Sequence, residues 1–162
     1  MKSILIKAMF LLSLTIFVLS ACEKEETEPK KETTYKITAT IGDFEFKSTD
    51  AKGTADGWFV IEGKAYNNSN TYLRIRLPEY ATIALKDYPI GEHPRGIYSQ
   101  AYYLDVSGEY ESNEGSPASE KVTITKFDSA AKLISGTFDF TLYEDDTVTT
   151  KIISGTFTDI TW

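Results

Sequence analysis

Few residues in this chain can do chemistry, and their spacing narrows the options further. Cys22 is the only cysteine, and His93, in Gly91-Glu92-His93-Pro94, is the only histidine. A thiol is the strongest soft nucleophile a protein offers, so Cys22 is the natural acceptor for an alkyl group. One histidine with no second histidine or spare thiol gives no zinc ligand set. Ser-His-Asp catalysis would have to run through His93, and no serine lies in a Gly-x-Ser-x-Gly elbow. No glycine-rich phosphate loop is present. Glu144-Asp145-Asp146 offers oxygen ligands without the alternating Asp-x-Asp-x-Asp-Gly spacing of a calcium loop. Paired carboxylates need only stand several ångströms apart to hydrolyse a glycoside. The strand acids Glu45, Glu62 and Asp139, however, fall on faces that read as outward, where solubility is the simpler role. The sequence therefore predicts no catalytic residue, no metal and no cofactor. A carboxylate-dependent glycan hydrolase is the outlying alternative.

Aromatic side chains give the better lead. Ten tyrosines and two tryptophans are many for 162 residues, and not all fit a core pattern. On the strand phases assigned below, Trp58, Tyr72 and Tyr103 point outward. Exposed rings present flat faces to sugar rings, and tyrosine adds a hydroxyl for polar edges. The competing reading is that these rings cover sheet edges or pack under loops.

The element that positions Cys22 is a leader. Residues 1–21 combine a basic start (Lys2, Lys7), an apolar run from Ala8 to about Leu19, and a small-residue end. The run is shorter than the roughly 20 residues a spanning helix needs, so it reads as a signal peptide and not a membrane anchor. Leu19-Ser20-Ala21-Cys22 resembles the bacterial lipobox, in which small residues admit an extended backbone to a peptidase and the cysteine follows the cut. That resemblance implies a diacylglycerol thioether on Cys22, cleavage before it, and acylation of the new amine. Several acyl chains together give stable membrane attachment where one gives only marginal binding.

Residues 22–34 read as a polar tether. Eight of the ten residues from Glu23 to Glu32 are charged, too many to bury. Fully extended, the tether reaches roughly 40 Å. Lys24-Glu25-Glu26 resembles the surface-export signal of Bacteroidota lipoproteins, which implies display on the outer face of the outer membrane. The periplasmic leaflet is the alternative. Without residues 1–21, which carry two lysines and no acid, the formal charge of −7 becomes −9. A surface of that sign repels phosphates, so nucleic acid is not an expected partner. With Cys22 acylated, no cysteine is left for an internal disulfide.

From Tyr35 onward the hydrophobic period is two, and residues 35–162 read as one domain. Tyr35, Ile37, Ala39 and Ile41 alternate with polar residues, and Gly42-Asp43 predicts a two-residue hairpin pairing Ile41 with Phe44 and Ala39 with Phe46. Phe59, Ile61 and Ala65 line the next strand, Asn67–Asn70 turns, and Leu73, Ile75 and Leu77 return with Arg74 and Arg76 facing water. Tyr98–Val106 reads as a strand burying Tyr98, Tyr102, Leu104 and Val106. Val122 and Ile124 mark another, followed by a turn at Asp128–Ala131. Ile134-Ser-Gly-Thr-Phe138 recurs as Ile153-Ser-Gly-Thr-Phe157. The two copies predict adjacent antiparallel strands, with Ile134, Phe138, Phe140, Leu142, Ile153 and Phe157 facing in. Each glycine marks a close approach by a chain or a ring. The opposite parity of Val148 and Ile152 predicts a bulge near Ile152. Residues 80–96 and 109–120 read as long loops. About eight strands and no helical periodicity predict an all-β antiparallel sandwich, with a small closed β-barrel as the alternative.

The stretch KVTITKFDSAAKLISGTFDF followed by KIISGTFTDI resembles the C-terminal half of an uncharacterised Bacteroidota lipoprotein family of β-sandwich type. The likeness is loose over residues 35–162 and close over 120–160. Its motifs are strand-forming and lend no functional residue. Asp128-Ser129-Ala130 and Asp146-Thr147-Val148 are similar to the Asp-Ser/Thr-apolar sites O-glycosylated in exported Bacteroidota proteins, which implies modification of Ser129 and Thr147. Taken together, the sequence predicts a lipoprotein held in the outer membrane through acylated Cys22. Its domain is expected to bind extracellular glycan or protein, or alternatively to dock as an accessory subunit on an outer-membrane complex.

Overall fold

The computed structural model describes residues 33–91, 99–112, 119–144 and 150–162. The chain divides into two units, Met1–Glu32 and Thr33–Trp162, and every described residue belongs to the second. That unit is all-β and antiparallel. Its eleven strands are β1 (Ile37–Ile41), β2 (Phe44–Ser48), β3 (Lys52–Asp56), β4 (Trp58–Ala65), β5 (Asn68–Glu79), β6 (Asp87–Pro89), β7 (Gln100–Asp105), β8 (Gly108–Glu111), β9 (Lys121–Asp128), β10 (Leu133–Tyr143) and β11 (Thr150–Thr161). The three beyond the expected eight are short. β3 has little apolar signal, and β6 and β8 lie in segments that read as loops.

The sheet runs β2-β1-β11-β10-β8-β7-β5-β4-β3, and β9, which also pairs with β6, joins it at β10. The C-terminal strand β11 is thus an interior strand, held between β1 and β10. One edge of β10 is taken by β11 along its length. The other is divided, with Leu133–Asp139 pairing to β9 and Tyr143 to Glu111 of β8. The sheet curls, half-barrel fashion, until its ends approach. Tyr66 N donates to Lys47 O at 2.7 Å. A Cβ on Gly63 of β4 would stand 2.7 Å from Ser48 Oγ and 3.0 Å from Ile37 Cδ1.

Alternation fills the interior of this curl. Ile37, Phe46, Phe59, Ile75, Leu77, Phe140 and Phe157 are all at most 1% exposed. Burying each such side chain contributes about 1.5–3 kcal/mol. The described residues hold five ion pairs, and in four of them both partners are at least 36% exposed, where a pair is worth about 0–1 kcal/mol. The core, not surface charge, holds the fold. An aromatic cluster packs against the core, in which Trp162 stacks on Phe127 at 5.2 Å and meets Phe59 edge-on at 5.2 Å.

The Gly42-Asp43 hairpin has the expected register, Ile41 opposite Phe44 and Ala39 opposite Phe46, with Gly42 at φ +56°. The repeated strands also pair as expected, and they do so reciprocally. Gly136 of one copy faces Phe157 of the other, and Phe138 faces Gly155. The two phenylalanines stack at 6.4 Å across the missing side chains. Asp128 Oδ1 accepts from the amides of Ala130 and Ala131, which builds the expected turn between β9 and β10.

Two expectations are corrected. Ile152 sits in unbroken register with Thr141 and points out, 66% exposed, so there is no bulge there. The bulge lies at Thr158-Asp159, where β11 takes three steps from Phe157 to Ile160 against two on β10. Asp159 there adopts φ +46°, with its amide donating to Ser135 Oγ at 2.9 Å. On β7 the phase is reversed. Ala101 and Tyr103 face in because they pair with Ile75 and Leu73, whereas Tyr102 and Leu104 lie on the outer side and Val106 is 89% exposed. Tyr98 lies outside the described residues.

The reciprocal glycines yield a prediction. A Cβ at position 136 would stand 2.3 Å from Thr123 O and 2.5 Å from Phe157 Cζ, and one at 155 would stand 2.3 Å from Thr38 O. Gly136→Ala and Gly155→Ala are each expected to cost about 1–3 kcal/mol in urea unfolding. Thr137→Ala, on the exposed face, should change stability by less than about 0.5 kcal/mol. Because a carbonyl is the nearer obstacle, adding Phe157→Leu to Gly136→Ala should relieve only part of the clash.

Candidate functional site

The outer face of β3, β4, β5, β7 and β8 carries two cross-strand rows. One runs Lys52, Glu62, Arg74, Tyr102, Glu111, and the other Thr54, Val60, Arg76, Gln100. At the end of the second row Trp58 pairs with Asp56. These rows form an open groove of about 510 Å³. A second hollow continues it toward Asp50 and Lys64, sharing Thr54, Val60 and Glu62. Five strands at about 4.8 Å spacing make the floor roughly 19 Å wide.

The two arginines of β5 are held differently. Arg74 is neutralised, with Nη2 2.6 Å and Nε 2.7 Å from Glu62 Oε2. The hydrogen bond to that carboxylate raises its pKa further. It also lies over Tyr72 at 5.5 Å and Tyr102 at 5.9 Å, and these two rings stack on each other at 5.6 Å. Arg76 lies over the Trp58 ring at 4.2 Å and donates from Nη1 to Gln100 Oε1 at 3.2 Å. Among the described residues Arg76 makes no ion pair. Burial, reinforced by hydrogen bonds with Glu109 and Tyr72, pushes the Tyr102 phenol well above its usual range. It stays protonated, with its hydroxyl engaged by these neighbours and its ring left at the groove wall.

Trp58 and Tyr72 are half-buried on the outer side, as their strand phases require. Tyr103 is not. It is 2% exposed, since the reversed phase of β7 turns it inward and gives its outward place to Tyr102. Ser129 is exposed on the turn between β9 and β10. Cys22, Lys24, Glu25, Glu26, His93 and Thr147 lie outside the described residues. Glu45 and Asp139 are exposed, while Glu62, also outward, is tied to Arg74. Sequence reading took Arg74 and Arg76 for solvated positions and Tyr102 for core. The available signal was the alternation Arg74-Ile75-Arg76 in a chain that has only three arginines.

A second cluster lies where β7 turns into β8. Lys151 Nζ donates to Asp105 Oδ2 at 2.9 Å and to Ser107 Oγ at 3.4 Å, and it lies over Tyr110 at 4.4 Å. Serine beside lysine suggests a nucleophile with its base. The proton geometry runs the other way. Ser107 Oγ donates to Asp105 Oδ1 in a short contact, and its oxygen accepts from the lysine. The cluster braces the hairpin and prepares no nucleophile. Among the described residues no three histidine, cysteine, aspartate or glutamate side chains gather as a metal site.

A curled antiparallel sheet with a polar, aromatic-edged groove on its outer face defines a class of compact all-β domain. Within that class, the chain belongs to the family described as Domain of unknown function (DUF6252), whose profile matches residues 32–161. Neither the curated proteins nor the solved structures yield a match.

The brace has a pH signature. Burial raises the Asp105 carboxyl, but hydrogen bonds from Ser107 and Lys151 outweigh it and leave the group below its usual range. A carboxylate depressed in the folded state contributes stability above its unfolded pKa, about 3.9, and loses it as pH falls through the folded value. Lys151→Met should therefore cost about 1–2 kcal/mol at pH 7. The gap from wild type, read by urea unfolding, should narrow progressively below about pH 4.

Proposed function

We propose that this protein is a lipoprotein anchored in the outer membrane through acylated Cys22 and displayed on the cell surface. Its domain is a non-enzymatic module that binds extracellular glycan, or less specifically a protein ligand, in the outer-face groove. The observation that carries this reading is the groove's composition. Trp58 and Tyr102 supply ring surface, Arg74 and Arg76 supply donors, and Asp56 and Glu111 supply acceptors. Planar rings beside mixed polar groups suit a polyhydroxylated ligand, whose faces are apolar and whose edges both donate and accept.

The groove floor favours a sugar over an extended peptide. Peptides that bind sheets commonly add a strand at an edge. Here the floor strands β4, β5 and β7 are paired on both sides, so recognition falls to side chains. The accessory-subunit reading draws on a different feature. β3 ends the sheet path and exposes most of its five residues, as a docking edge does.

Residues 33–162 hold the whole described core and serve for binding assays. On a panel of neutral and acidic oligosaccharides, saturable binding is expected. Trp58→Ala and Tyr102→Ala should each weaken it about tenfold, and Ser129→Ala should leave it unchanged. No binding across the panel, together with a stoichiometric membrane partner on affinity purification, would replace this reading with the accessory-subunit one. Release of reducing ends in the same assay would favour the hydrolase.

The anchor and its face are tested in cells. Wild-type protein should fractionate with membranes and be digested when intact cells are treated with protease, while Cys22→Ala should leave the membrane fraction. Survival in intact cells followed by digestion after lysis would place the domain on the periplasmic leaflet.

A further inference from the structure

Resting on the glycan reading of the groove, we propose that its ligand carries an acidic sugar, a uronic-acid unit whose carboxylate sits on Arg76. The first ground is contrast within one strand. Arg74 and Arg76 share a face of β5, yet Glu62 neutralises only the former. Arg76 is half-buried, and its one acceptor among the described residues is a neutral amide oxygen, that of Gln100. A guanidinium has five N–H donors, and stacking on Trp58 consumes none of them. Four donors are therefore not used by any described protein acceptor. In the open groove those donors are left to water, which a carboxylate can displace.

The second ground is residue choice. The chain has fourteen lysines and three arginines, and two of those three arginines line this groove. Arginine alone combines a planar fork that meets a carboxylate with two parallel hydrogen bonds and a face that stacks on an aromatic ring. Arg76 Cζ lies 4.2 Å from the centroid of the Trp58 ring and Nη1 donates to Gln100 Oε1, so two contacts restrain the fork before a ligand arrives.

The third ground limits the ligand's charge. Asp56 and Glu111 also line the groove, and the domain is acidic overall. A dense polyanion would be repelled by these groups. A glycan with one carboxylate among neutral sugars is not, because Arg76 takes the charge and the acidic side chains accept sugar hydroxyls.

The test pairs a tetrasaccharide containing one glucuronic acid with the same tetrasaccharide after carboxyl reduction to the neutral sugar, titrated calorimetrically into residues 33–162. An acidic peptide of similar length is the third probe. The acidic sugar is expected to bind at least about tenfold more tightly than its reduced partner. Arg76→Gln should bring that ratio to about one. Arg76→Lys, which keeps the charge but loses the fork, should fall between. Thermal melts report whether each variant is folded, and the wild-type ratio decides on its own if neither is. Equal binding of the two sugars overturns the acidic-sugar inference and leaves glycan binding standing. Binding of the peptide alone, or of no probe, overturns both.

Discussion

Everything in this domain depends on the pairing of β10 with β11. The two copies of Ile-Ser-Gly-Thr-Phe lie antiparallel, and each glycine opens the space that the opposite phenylalanine fills. Glycine in a strand interior weakens it by itself. Here the loss is offset because a ring covers the gap and because neighbouring backbone comes closer than any side chain would permit. Thr123 O of β9 approaches Gly136 from one side, and Thr38 O of β1 approaches Gly155 from the other. Bulges in β9 and β11 flank this level, and a bulged strand bends and twists more sharply. That bend lets the sheet curl toward closure and sets the outer face of β4, β5 and β7 as a continuous floor.

Those two demands meet in β5. Its inward residues Leu73, Ile75 and Leu77 are fully buried, and its outward residues Arg74 and Arg76 line the groove. The same alternation that packs the core therefore spaces the arginines two residues apart, each opposite a different cross-strand partner. Arg74 meets Glu62 on β4 and Tyr102 on β7, while Arg76 meets Val60 and Gln100. The difference in how the two are satisfied is a matter of register, decided by which residue stands opposite. A ligand that distinguishes them reads the pairing of the sheet through its side chains.

Much of the fold was legible in the residues. Gly42-Asp43 specified a hairpin and its register, and the repeat specified two adjacent strands with their inward sets, because alternation and turn chemistry are local. The run Ala101-Tyr102-Tyr103-Leu104 was not legible. Each of its residues tolerates either face, so only the pairing to β5 settles the phase, and that is a long-range fact. Ile152 misled in the same way, since an exposed isoleucine mimics a change of parity. The short strands β3, β6 and β8 have almost no hydrophobic pattern of their own and exist by virtue of their neighbours. The groove was the least legible feature, since Trp58, Arg76, Gln100 and Glu111 come from four strands and touch no common motif. Tyr72 and Trp58 were placed on the right face, but nothing local joined them to the arginines.

The interior position of β11 has a consequence for how the molecule is made. Among the described strands β11 comes last in sequence, yet β1 and β10 both pair with it, so the sheet lacks its middle until residue 161 is available. A chain made from its N-terminus carries an incomplete sheet until β11 has been synthesised. Closure of the sheet is thereby deferred until every strand before β11 already exists. The order of the strands along the chain thus acts as a timer on the closing of the sheet.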